Sequence, residues 1–144
     1  MKSCVFFGHR AYPYEKEREL IENSIVDLVE NYGVGQFYSG GRGDFDNLCA
    51  QLVYELKKKY PHIKNTLFLS YMPQGAEGCC LPKRYDDTVY LLEKRTPPRY
   101  AIVKTNEAVV KLADFVLSGV YYSRGGAYQA CEYARRRKKT IIQL

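Results

Sequence analysis

Apolar and polar positions alternate along this chain in two distinct rhythms. Cys4-Val5-Phe6-Phe7 is a short, wholly apolar run ended by Gly8, the pattern of a strand buried on both faces of a parallel sheet. Over residues 14–32, Ile21, Ile25, Leu28 and Tyr32 recur at intervals of three and four with glutamate and lysine between them, which predicts an amphipathic helix stopped by Gly33. Residues 36–39 predict a second strand, and a glycine-rich turn then leads to a helix carrying Leu48, Leu52 and Leu56 that Tyr60-Pro61 closes. Residues 65–71 predict a third strand, followed by a long loop marked by Pro73, Gly75, Gly78 and Pro82. Beyond it, residues 83–94 predict a helix and Pro97-Pro98 a break. Residues 102–113 predict another helix, 114–118 a buried strand, 125–138 a helix and 140–142 a last strand.

Strands separated by helices of crossover length imply right-handed β-α-β units. The expected architecture is therefore α/β: a Rossmann-like three-layer sandwich around a mostly parallel central sheet, formed by residues 1–144 as a single domain. There is no internal repeat and no low-complexity tract. Such sheets bind ligands at the carboxyl ends of their strands, so candidate chemistry should follow strands directly.

Composition narrows the partners. No stretch approaches the ~18 consecutive apolar residues of a membrane span, and the amino-terminal apolar run is too short for a signal peptide, so a cytoplasmic protein with no membrane partner is expected. The five cysteines are odd in number and lack C-x-x-C spacing; Cys4, Cys49 and Cys131 lie in apolar segments as reduced structural thiols would, whereas Cys79-Cys80 fall in the long loop. With two histidines, His9 and His62, far apart, no metal site is expected and no cofactor is called for. The net charge of +6 raises nucleic acid as a partner. Eight of the positive charges, however, belong to residues 57–59 and 135–139, at expected helix carboxyl ends where cations offset the helix dipole.

Three motifs follow strands. In Gly8-His9-Arg10 the glycine admits close backbone approach to a ligand and the arginine suits a phosphate or carboxylate; a structural turn is the alternative, and a lone histidine such as His9 is more often a hydrogen-bonded structural residue than a catalyst. Ser39-Gly40-Gly41-Arg42-Gly43-Asp44-Phe45-Asp46 joins a strand to a helix and offers backbone N–H groups to an anion. It is neither a P-loop nor a full G-x-G-x-x-G, and Asp44 and Asp46 read either as helix caps or, for Asp46, as a contact to a sugar hydroxyl. Arg124-Gly125-Gly126-Ala127 opens the helix that carries Glu132, a candidate catalytic carboxylate whose alternative is an ion-paired surface residue.

These segments, together with Pro97-Pro98-Arg99-Tyr100-Ala101-Ile102 and residues 125–135, resemble in order the YpsA-like branch of the SLOG superfamily. That superfamily unites DNA-processing proteins of the Smf/DprA type with the LOG cytokinin-activating phosphoribohydrolases. The resemblance implies a Rossmann-like nucleotide-binding core in which members bind nucleotides or ADP-ribose-like signals, cleave nucleotide N-glycosidic bonds, or bind single-stranded DNA. Two departures argue against LOG-type hydrolysis. Thr105-Asn106 stands where the branch usually has Arg-Asn, and Tyr128 and Gln129 replace the third glycine and the threonine of the LOG turn, leaving Glu132 at the acidic position.

The sequence thus points first to binding or sensing of a nucleotide or nucleotide-derived small molecule, with Asn106 and the three motifs as contacts. A nucleoside monophosphate N-glycosidase using Glu132 is the alternative, and single-stranded DNA binding, with some of the fourteen tyrosines as stacking surfaces, is the third. A homodimer or higher oligomer is expected, because Tyr54, Tyr90, Tyr121, Tyr122 and Tyr128 exceed what one small core buries.

Overall fold

The computed structural model describes residues 1–71, 82–93 and 95–144. Strand β1 (Lys2–Gly8) is followed by a 3-10 turn (Tyr14–Glu17), helix α1 (Arg18–Tyr32), strand β2 (Val34–Ser39), helix α2 (Asp44–Leu56) and strand β3 (Lys64–Leu69). Strand β4 (Asp87–Tyr90), a 3-10 turn (Pro98–Tyr100), helix α3 (Ala101–Leu112), strand β5 (Phe115–Gly119), helix α4 (Gly126–Arg136) and strand β6 (Thr140–Gln143) complete the described elements. One sheet orders these strands β4-β3-β2-β1-β5-β6, every pair parallel.

The alternation of β1 explains the layering. Cys4 and Phe6 point into an apolar cluster with Ile21, Ile25, Leu28 of α1 and Leu48, Leu52 of α2, while Val5 and Phe7 point into a second with Val109, Val110 of α3 and Ala130, Ala134 of α4. Successive strand residues face opposite sides, so a fully apolar run belongs where both sides are covered. The three-layer Rossmann-like fold expected from the sequence is thus the fold observed. Cys4, Cys49 and Cys131 are buried free thiols, as expected, whereas Cys79-Cys80 and most of the expected long loop lie outside the described residues.

One element differs in type. The helix expected over residues 83–94 is not formed among the described residues 83–93; Asp87–Tyr90 is a strand, with Thr66↔Asp87 through Leu69↔Tyr90 in parallel register with β3. Thr88, Val89 and Tyr90 are β-branched or aromatic, and the open edge of β3 supplies a hydrogen-bonding partner that local charge pattern does not reveal. Tyr85, just before it, is buried and holds its hydroxyl 3.4 Å from Ser39 Oγ.

The chain passes from β1 outward to β4 on one side, then returns to place β5 on the other side of β1. The switch in strand order therefore falls between β1 and β5, at whose carboxyl ends a crevice opens. Phe45, in the first turn of α2, seats its ring against both strand ends: a Cβ at Gly8 would lie 2.2 Å from the ring, and one at Gly119 would lie 2.6 Å from it. Glycine at those strand ends lets α2 approach closely enough to form one wall.

Candidate functional site

A cleft of about 360 Å³ occupies the switch point. Gly8, His9 and Arg10 after β1 border it on one side, and Arg42, Gly43 and Asp46 at the start of α2 on another. Asn106 and Ile102 of α3 contribute a third wall; Arg124, Gly125 and Gly126 at the start of α4 contribute the fourth. The three motifs singled out in the sequence, with Asn106, therefore meet in one place. Phe7, Phe68, Ile102 and Ala127 add an apolar lining that the motifs did not announce.

Within the turn after β2 the residues divide. Ser39 is fully buried and donates to Asp46 O at 3.3 Å. Gly40 lies against the Phe68 ring, and Gly41, at φ +64°, packs beneath Leu67 and Tyr85; neither lines the cleft. Gly43 does, but through close approach: its Cβ would stand 2.5 Å from Arg10 Cα. Its φ of −170° is ordinary extended backbone. The N–H groups here are largely spoken for, since Asp44 N donates to Arg10 O at 2.8 Å and Arg42 N donates to Asp46 Oδ2 at 3.1 Å. Asp46 thus reaches back over its helix start, and Asp44 accepts from Tyr12 N at 3.0 Å instead. The turn after β5 is different. Among the described residues, Gly125 and Gly126 have no heavy atom within 4 Å of where a Cβ would stand, so the amino end of α4 faces the cleft.

Charge is concentrated in three guanidiniums from three loops. Arg42 lies over the Phe68 ring at 5.4 Å and donates to Asn106 Oδ1 at 3.4 Å, which turns the Asn106 amide nitrogen away from Arg42. Burial lowers the Arg42 pKa, and the nearby Asp46 carboxylate opposes that effect. Arg10 and Arg124 are exposed and make no salt bridge among the described residues. Asp46 is the one carboxylate in the lining among the described residues; burial pushes it up to about 6 from 3.8, against the Arg42 backbone bond and the Arg42 and Arg10 charges. An excess of cationic donors over acceptors, beside an apolar floor, suits an anion attached to a flat or apolar group.

Glu132 stands apart. It lines a neighbouring cleft of about 350 Å³ between α3 and α4 and pairs with Arg135; Asn106 and Gly126 border both clefts. Among the described residues no three histidine, cysteine, aspartate or glutamate side chains gather as a metal-binding group. Nor is any described helix long and apolar enough to cross a membrane.

No family model and no curated protein matches the chain. Solved structures do. DNA processing protein A (DprA) of Streptococcus pneumoniae superposes with a TM-score of 0.71 at 14% identity, over 99% of this chain and 50% of that one. DNA processing protein A of Helicobacter pylori, described for its single-stranded DNA binding mode, gives 0.66 at 16%, over 99% and 64%. The molybdenum cofactor binding protein of Rippkaea orientalis gives 0.65 at 13%, over 99% and 75%. The chain spans half the length of the S. pneumoniae protein. At these identities the likeness establishes a shared Rossmann-like α/β fold.

Proposed function

We propose that the cleft binds a nucleotide or a nucleotide-derived small molecule of the ADP-ribose kind. In this reading the protein is a binding or sensing module of the YpsA-like branch. The observation that carries it is the convergence of Arg10, Arg42 and Arg124, from three separate loops, on one cleft whose floor is apolar and whose described lining holds a single carboxylate. Arg10, Arg124 and the open turn at Gly125-Gly126 receive the phosphates. Phe68 and Ile102 contact the base or sugar face, and Asp46 accepts from a ribose hydroxyl. The fold neighbours agree in kind, since one is described as binding the molybdenum cofactor and another single-stranded DNA. Buried reduced thiols at Cys4, Cys49 and Cys131 fit a cytoplasmic setting.

Hydrolysis of a nucleotide by Glu132 is the weaker reading, because its carboxylate is engaged by Arg135 outside the main cleft. Single-stranded DNA is favoured by one specific feature: Tyr121 and Tyr122, whose backbone N–H groups meet His9 of the cleft lining, are 37% and 47% exposed, with Arg124 over the Tyr122 ring at 5.9 Å.

A thermal-shift screen with nucleotides, ADP-ribose and cyclic derivatives tests the leading reading. A ligand at a hundred times its dissociation constant should add about 2.7 kcal/mol of stability. Calorimetry with the hit should then show affinity lost in Arg10→Ala and Arg124→Ala proteins of normal melting temperature. A screen in which no such compound raises the melting temperature sinks the proposal, and release of free base from a nucleotide would favour the hydrolase.

A further inference from the structure

We propose that His9 is a positioning residue for the phosphate-binding turn: as a neutral imidazole it holds the backbone of Tyr121 and Tyr122, and with it Arg124-Gly125-Gly126, against the cleft, and protonation releases that turn. The inference rests on the reading of the cleft as an anion site, but its structural half stands without any ligand. His9 Nε2 accepts from Tyr121 N at 2.7 Å and from Tyr122 N at 3.2 Å. A nitrogen that accepts two backbone N–H groups carries no proton, so the ring proton sits on Nδ1. If Nε2 is protonated it becomes a donor facing two donors, and both contacts turn repulsive. The histidine is itself fixed: its backbone N donates to Tyr14 Oη at 2.8 Å, and Tyr14 O–H donates to Gly119 O at 2.6 Å, tying the end of β1 to the end of β5.

The surroundings decide the direction of the switch. On its own segment His9 faces Tyr12 and Tyr14, with Arg10 next in the chain; from the turn after β5 it faces Tyr121, Tyr122 and Arg124. Glu17, from the 3-10 turn, is reached only through the Tyr121 hydroxyl, which donates to Glu17 Oε1 at 3.0 Å. Burial holds the phenols of Tyr12, Tyr14 and Tyr121 above their ordinary value, so they stay neutral. Burial of the imidazole and the positive charge of Arg124 lower the His9 pKa, keeping the ring a hydrogen-bond acceptor at neutral pH. Binding therefore strengthens as pH rises through the His9 titration. That is the reverse of simple attraction between an anion and an imidazolium.

Two measurements test this. In the protein without ligand, nitrogen-15 NMR of the His9 ring and of the Tyr121 and Tyr122 amides is followed between about pH 5 and 8. A bare Nε2 at neutral pH, with both amides shifting at the same midpoint as the ring, is expected. Amides that ignore the ring titration, or a protonated Nε2 at neutral pH, overturn the proposal whatever the protein binds. The second probe is ADP-ribose, whose diphosphate keeps its charge through this range. Its affinity should fall by up to about tenfold per pH unit below the His9 midpoint. His9→Gln, whose amide oxygen accepts without titrating, should retain binding and flatten the profile, and His9→Ala should lose affinity at every pH. An affinity that rises on acidification in wild type and is unaffected in His9→Gln would overturn the role. Absence of ADP-ribose binding at any pH would instead count against the reading of the cleft, leaving the NMR result to decide on His9.

Discussion

At Asp46, burial and hydrogen bonding act in opposite directions, and burial wins: the carboxyl is pushed up to about 6 although Arg42 N donates to it and two guanidiniums lie near. Between the ordinary value and about 6 the folded chain holds a proton that the unfolded chain has released. Stability from this group is therefore present at acid pH and lost as pH rises through about 6. Asp46→Asn keeps an oxygen for Arg42 N and cannot ionise. Its unfolding free energy should equal or exceed that of wild type above pH 6, by as much as about 3 kcal/mol, with the gap closing toward pH 4. If Asp46 contacts a ribose, the same variant loses about 1 to 3 kcal/mol of affinity by calorimetry. Parallel stability profiles would mean that the carboxyl titrates normally, and unchanged affinity would remove it from the site. Gly43 makes a different demand. Its backbone angle suits any residue, but a side chain there meets Arg10 Cα and O, so Gly43→Ala should cost about 1 to 3 kcal/mol in chemical denaturation.

The two helix starts that face the cleft are not equivalent elements. At α2 the neighbouring N–H groups of Arg42 and Asp44 already have protein acceptors, whereas at α4 the glycines open onto space. Gly126→Ala, at a position with no left-handed backbone angle, should change stability by no more than about 0.5 kcal/mol, yet weaken ADP-ribose binding because the methyl occupies the phosphate's approach. A variant with unchanged affinity would move the phosphate elsewhere. This contrast was not legible in the sequence: glycines after a strand announce a turn, but not which amides a distant Arg10 carbonyl or an Asp46 carboxylate will take. The sheet itself was legible, because runs such as Cys4 to Phe7 and Phe115 to Leu117 have no other use than burial on both faces. Strand β4 was not, since an edge strand of mixed polarity is fixed by its partner β3. Phe68 and Ile102 carried a usable signal. One ends a strand and the other opens a helix, and both such places lie at the carboxyl edge of a parallel sheet.

For the molecule as a whole, Val103 and Leu112 of α3 are exposed, as are Tyr54, Tyr121 and Tyr122 elsewhere. We propose that a homodimer or higher oligomer covers some of these side chains, and sedimentation showing only monomer at micromolar concentration would refute it. The net charge of +6 poses the last question, whether it serves a small anion or a polynucleotide. Residues 57–59 follow the end of α2, and residues 135–139 span the last turn of α4 and the link to β6, at the helix ends opposite the cleft. A small ligand held by Arg10, Arg42 and Arg124 does not feel charges lying beyond a screening length of about 8 to 10 Å. A single strand crossing the surface would release a counterion at each contact, with log affinity falling at about 0.7 per phosphate neutralised against log salt. Replacing the basic residues of 135–139 by glutamine should therefore leave ADP-ribose affinity within about twofold and its weak salt dependence unchanged. An oligonucleotide binder would show a steep salt slope that becomes shallower in the same variant. Fluorescence anisotropy with a labelled oligonucleotide, beside calorimetry with ADP-ribose at several salt concentrations, separates the two. A steep slope that depends on residues 135–139, with no measurable ADP-ribose binding, would turn the assignment from nucleotide sensing to single-stranded DNA.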